Sequence, residues 1–404
     1  MTLFAFLREN GRWLGAGALM SLMSSFGQTF FISIFAGEIR ETFDLSHGAW
    51  GGIYTLGTAA SAAVMVWAGG LTDRYRSRSL GIGVLLLLAC ACLFMALNVW
   101  AWLLPLAIFA LRFCGQGMMS HIAVVSMSRW FVATRGRALS VAGLGYALGE
   151  AVLPLGFVAL LLVVDWRWLW VIAAIACLGM IPILTGLLLE ERTPQSHAQQ
   201  DSSVGMQNRH WKRQEVLRHP LFWFMIPALL GPSAFGTAFF FQQVYFADLK
   251  GFAHIELVAM FPFFTMAGVG MMLLSGWLLD RLGTPRLMPV YQLPMVAAFV
   301  IFAQGQSLFS IFVGLLVMAM TTGSNATIPN AFWAEFYGTR HLGSIKAMAA
   351  AVMVLGSALG PGITGLLIDL GIGLEDQYLG VSMYFAIATL CMALGISRAR
   401  RALG

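Results

Sequence analysis

The chain has 404 residues, 59% of them hydrophobic and 10% charged, with a mean hydropathy of +0.80. Soluble domains carry roughly 25% charged residues, so this chain has too little polar surface for water and its solvent must be largely lipid. The net charge of +6 needs no nucleic-acid partner, because the distribution of the basic residues accounts for it.

A membrane-spanning helix needs about 20 apolar residues. About twelve such stretches are predicted by hydropathy, centred near Phe26, Ala62, Leu87, Ala110, Leu148, Ala174, Phe235, Met266, Ala298, Val317, Val354 and Ile387. With the first helix running outward, the links alternate between two sides. Of the 24 Lys and Arg residues, all but Arg40, Arg167, Lys250 and the mid-helix Arg112 fall on one side. Basic loops stay in the cytoplasm, so both termini are expected inside, in a bacterial-type inner membrane. Arg8 and Arg12 precede an apolar run too long for a signal-peptide core, which reads as a retained first helix. Cys90, Cys92, Cys114, Cys177 and Cys391 all fall inside predicted helices, which argues against a disulfide framework or a zinc ribbon.

The longest polar stretch, Glu190 to His219, divides the helices six and six. The expected domains are therefore 1–189 and 220–404, each a six-helix bundle, joined by a cytoplasmic linker at 190–219. Trp211-Lys212-Arg213 is expected to lie along the inner membrane surface, with the indole at the headgroups. Three repeats point to duplication. Gly69-x-Leu71-x-Asp73-Arg74 recurs as Gly276-x-Leu278-x-Asp280-Arg281. Phe26-Gly27-x-x-Phe30-Phe31 recurs as Phe235-Gly236-x-x-Phe239-Phe240. Gly145-x-x-x-Gly149 recurs as Gly356-x-x-x-Gly360. All three share an offset of about 210 residues, and transporters are commonly built from such paired repeats.

These motifs make the chain resemble the major facilitator superfamily over essentially its whole length. In that family the link between helices two and three reads G-x-L-x-D-R-x-G-R-R. Gly69, Leu71, Asp73, Arg74 and Arg78 match it, Arg76 and Ser77 depart from it, and the second copy keeps the later glycine as Gly283. Arg112-x-x-Gly115-x-Gly117 resembles another motif of the family. A narrower stretch is similar to the bacterial monocarboxylate and oxalate/formate branch: Arg129-Trp130-Phe131, Arg135-Gly136-Arg137-Ala138-Leu139 and Asp165-Trp166-Arg167. The resemblance implies an all-α membrane protein of twelve helices in two pseudo-symmetric bundles, with helices one, four, seven and ten lining a central cavity.

Arg112 is the most costly residue in the sequence. Ten residues beyond Trp102, at about 1.5 Å each, place it roughly 15 Å deep, near the midplane of a core about 30 Å thick. Insertion there costs roughly 2.5–3.5 kcal/mol, so Arg112 should face the protein interior with a partner. It could contact a substrate anion or only fix helix packing. Glu150 in helix five lies at a similar depth and is its expected partner. In the switch this suggests, ionised Glu150 holds Arg112 and protonated Glu150 frees it for a substrate carboxylate. Uncharged polar candidates for substrate binding or proton coupling are Gln28, Gln116, His121, Gln242, Gln243, Asn325 and Asn330, although amides there can equally glue helices together. Asp73-Arg74 and Asp280-Arg281, at helix ends on the cytoplasmic side, are gate candidates that would tune conformation without touching substrate.

No P-loop, metal-ligand spacing or nucleophile elbow is present, so neither ATP, a metal nor a cofactor is expected, and an enzyme is disfavoured. The sequence reads as a monomeric secondary transporter embedded in lipid. It is expected to carry a small organic anion, of which a monocarboxylate is the leading candidate, together with protons by alternating access. The rival reading is a proton-driven efflux antiporter for an amphiphilic or cationic compound, suited by the many aromatics.

Overall fold

The computed structural model describes residues 3–131, 134–190, 204–338 and 340–400, and every regular element among them is helical. The chain forms two compact units, Met1–Gln200 and Asp201–Gly404. In the first, five helices are long and apolar enough to cross a membrane: His47–Ala68, Ser77–Leu97, Ala101–Trp130, Gly136–Leu161 and Trp166–Leu187. Before them stands a bent pair, Phe6–Gly27 and Thr29–Phe43, whose axes differ by 47°. The second unit contributes Pro220–Phe241, His254–Leu282, Leu308–Tyr337, Ile345–Asp369 and Leu374–Ala399. Among the described residues that makes ten spans, or eleven with the bent pair. The ninth expected segment is the 12-residue helix Leu293–Gln304, shorter than the ~20 residues of a full span, preceded by the single turn Thr284–Leu287.

Local chemistry sets the helix ends. The Ser46 hydroxyl accepts from Ala49 N–H at 3.0 Å, the Asp165 carboxylate from Arg167 N–H at 2.9 Å, and the Ser307 hydroxyl from Ser310 N–H at 3.1 Å. Each satisfies an N–H that the first helical turn leaves without an intrahelical partner. Pro105, Pro220, Pro262 and Pro329 occupy first turns, where the missing N–H costs nothing.

The two copies of the Asp-Arg turn differ where the sequence departs from the repeat. Gly283 takes φ +73°, a left-handed conformation suited to glycine. Its counterpart Arg76 takes φ −64°, ψ 140°, so the first copy makes its turn in extended backbone. The glycine repeats in helices five and eleven serve close packing. A Cβ on Gly145 would overlap the carbonyl oxygen of Ala18, and one on Gly360 would overlap that of Ala234. The same small-residue face thus seats the first helix of each unit.

Trp211 packs its indole inside the protein and does not turn it out to the headgroups as expected. Its indole is 4% exposed and packs edge-on to His219 and Tyr337, with centroids 4.8 and 5.7 Å away. Its backbone N–H donates to Tyr337 O at 3.0 Å and its indole N–H to Met206 O at 3.1 Å. Of the 190–219 linker, residues 191–203 lie outside the described residues, while 204–219 pack onto the second unit. The aromatic contacts available at the end of helix ten outweigh headgroup solvation of a single indole.

Replacing Gly145 or Gly360 with Ala is expected to lower stability by about 1–3 kcal/mol or more through backbone overlap. Gly143→Ala, where a Cβ meets nothing within 4 Å, should be neutral. Thermal unfolding in detergent measures all three.

Candidate functional site

The first helix stops at Gly27, and Gln28 is extended, at φ −85° and ψ 154°. A helix interior offers no spare backbone acceptor, because each carbonyl already serves the N–H four residues on. The break frees the Gly27 carbonyl. Facing it, residues Arg112–Met119 of the fourth span form a π-helical stretch, a widened turn of the kind that recurs at functional positions. Gly27 and Gly115 let the two backbones touch: a Cβ on Gly115 would lie 2.6 Å from Gly27 Cα.

Arg112 sits at this junction with 1% exposure. Its Nη1 donates to Gly27 O at 3.2 Å and to Thr29 Oγ1 at 3.3 Å. Thr29 Oγ1 and the Tyr54 hydroxyl are 2.6 Å apart, and the Tyr54 ring centroid lies 5.4 Å from Arg112 Cζ. The break, the second span and the fourth span therefore hold one side of the guanidinium. Arg112 Nε and Nη2 are buried and have no hydrogen-bond partner among the described residues. These two nitrogens form the side-on edge of the guanidinium, whose parallel N–H groups match both oxygens of one carboxylate.

The expected Arg112–Glu150 pair is not made. Glu150 is half-buried and its Oε1 accepts from the Tyr146 hydroxyl one turn earlier, at 3.4 Å. Tyr146 packs edge-on to Phe30 at 5.7 Å. Backbone and hydroxyl oxygens at the helix break hold Arg112 in the role expected of the carboxylate.

The remaining candidates disperse. Gln28 is buried at the break itself, and Gln116 lies half-buried inside the π-helical stretch. His121 contacts Gly69 O through Nε2 at 3.2 Å, closing the end of the second span. In the second unit, Gln242 Nε2 reaches Thr364 Oγ1 at 3.5 Å and Gln243 Oε1 lies 3.4 Å from His254 Nε2. Asn325 Oδ1 accepts from the Tyr291 hydroxyl at 3.4 Å, while exposed Asn330 returns its amide to Ala326 O at 2.8 Å. Of the gate candidates, the Asp73 side chain lies outside the described residues. Arg74 and Asp280 are exposed, and Arg281 stacks on Trp277, 3.9 Å from the ring centroid. Arg129 Nη1 grips the first turn instead, donating to Thr72 O at 2.6 Å.

Sequence reading missed Thr29, Tyr54 and Tyr146. Thr29 follows Gly27-Gln28 directly, so a helix break would have exposed it; Tyr54 carries no local signal. It also missed the buried ammonium of Lys250, which donates to Glu375 Oε1 at 2.5 Å and to Ala303 O at 3.0 Å. Among the described residues no group of His, Cys, Asp and Glu could hold a metal.

Comparison with known proteins agrees with this architecture. The chain is 24% identical over 363 residues to the oxalate:formate antiporter of Oxalobacter formigenes, spanning 87% of this chain and 85% of that one. Its fold matches a bacterial homolog of the human lysosomal transporter Spinster, solved inward-facing and unoccupied. The TM-score is 0.72 at 16% identity, over 98% of this chain and 97% of that one. It also matches the nucleoside transporter NupG, with a TM-score of 0.70 at 13% identity over 96% and 99%. The profile of the Major Facilitator Superfamily covers residues 17–361, and this multi-pass, all-helical chain belongs to that family of transporters.

Proposed function

We propose that the protein carries a small organic monoanion, a short carboxylate, across the inner membrane by alternating access, with Arg112 as its anion site. The observation that carries this reading is the buried, unpartnered Nε–Nη2 edge. An ionised donor pair left open in a low-dielectric site is costly, and a substrate carboxylate relieves that cost while the ligand is bound. One guanidinium balances one carboxylate, which favours a monoanion. The likeness to an oxalate:formate antiporter favours exchange of one small carboxylate for another as the mode of transport. The bias of basic residues supports cytoplasmic termini.

Proton coupling is the second reading. It is favoured by Glu150, a half-buried carboxylate hydrogen-bonded to Tyr146 within the fifth span.

Proteoliposomes loaded with unlabelled formate should take up labelled formate faster than empty ones. Arg112→Met should abolish uptake while leaving the unfolding temperature unchanged or higher, because a well-packed apolar side chain often matches or exceeds a buried charge by about 1–4 kcal/mol. Arg112→Lys should retain the charge and still lose at least about 30-fold in apparent affinity, since an ammonium cannot form the parallel pair. Uptake that survives Arg112→Met would overturn the assignment.

For the proton reading, an inward proton gradient should drive accumulation in the native protein. Glu150→Gln should remove that response and spare exchange. Equal accumulation in both proteins would exclude Glu150 as the coupling group.

A further inference from the structure

We infer that the segment Arg209–Trp223 is a docking surface for anionic phospholipid headgroups. The inference is independent of the substrate assignment.

Between these residues stand Arg209, Lys212, Arg213 and Arg218 against Glu215 alone. Glu215 is already engaged. Its Oε1 lies 3.4 Å from Arg209 Nη1, and its Oε2 accepts from the Lys212 backbone N–H at 2.6 Å. Arg209 is further held over the Trp211 ring, 4.0 Å from its centroid. Burial, and then Arg209, push the His219 imidazole below its usual value, so it is neutral at physiological pH and adds no charge. Lys212, Arg213 and Arg218 are therefore left exposed and, among the described residues, without an acidic partner, on and beside the short helix Arg213–Arg218.

Their position is fixed. Trp211 anchors one end through its contacts with Tyr337 and Met206, and Val216 is the inward residue of the helix, fully buried. The spanning helix begins at Pro220, two residues after Arg218, which puts the three cations at headgroup level. Trp223 is 60% exposed and Leu217 38%. The Trp223 indole N–H donates to Leu217 O at 2.8 Å, so an interfacial indole sits against the basic helix. An exposed tryptophan beside uncompensated cations at a span's end is the arrangement that binds an anionic leaflet. A segment that served only to orient insertion would need the charges but not the docking by Trp211 or the adjoining indole.

The test uses the full-length protein in detergent, with bound lipids counted by native mass spectrometry during titration with phosphatidylglycerol or phosphatidylcholine. The native protein should prefer phosphatidylglycerol. The triple variant Lys212→Gln/Arg213→Gln/Arg218→Gln keeps Trp211 and Glu215, so its unfolding temperature should not change. It should lose affinity for phosphatidylglycerol by on the order of a hundredfold, about fivefold per charge, with phosphatidylcholine binding unchanged. Inorganic phosphate at equal concentration should not displace the lipid. Retention of the full preference by a folded triple variant would overturn the proposal. So would displacement by inorganic phosphate as effective as by lipid, which would make the surface a free-phosphate site.

Discussion

The first unit depends on a guanidinium buried among packed helices. Arg112 needs oxygen partners at that depth, and an intact helix cannot supply a carbonyl, because each is already used. The extended conformation at Gln28 releases the Gly27 carbonyl, the Gly27–Gly115 contact brings it within reach, and the π-helical turn gives the fourth span the width for that approach. Remove any one of these and the arginine is stranded. Together they satisfy one side of the guanidinium and leave the other buried without a hydrogen-bond partner among the described residues.

The duplicated halves have diverged around this requirement. Phe26-Gly27 stands at a helix break, whereas Phe235-Gly236 lies within the uninterrupted helix Pro220–Phe241. The second unit keeps its buried cation at a helix end, where Lys250 meets Glu375 and Ala303. Neutral contacts tie its interior as well: Gln292 Nε2 donates to Ala228 O at 2.6 Å and to the Tyr291 hydroxyl at 2.7 Å. The repeat survives best in the small-residue faces, since Gly145 and Gly360 both lie against a backbone carbonyl and tolerate no side chain.

Much of the architecture was legible in the sequence because hydropathy and glycine spacing report directly on lipid exposure and close packing. The apolar segmentation, the paired glycine repeats and the inward burial of Arg112 are of this kind. The ninth segment was readable as apolar but not as short, because hydropathy does not register the turns after Thr284–Leu287. The partner of Arg112 was not readable either. Glu150 matched it in depth, but depth along an axis says nothing about rotation, and the true partners are a backbone carbonyl and a threonine hydroxyl. Backbone acceptors carry no residue signature. Trp211 misled in the same way, since the aromatic-belt rule reads sequence position and cannot see Tyr337 waiting at the end of another helix.

In the proposed transport cycle the unpartnered edge of Arg112 receives a carboxylate. The most direct test is a crystal structure with bromoacetate bound, located by the anomalous signal of bromine. Both carboxylate oxygens should lie within about 3 Å of Arg112 Nε and Nη2, with Nη1 still on Gly27 and Thr29. Bromoacetate bound elsewhere, with Arg112 Nε and Nη2 taken up by Glu150, would contradict it.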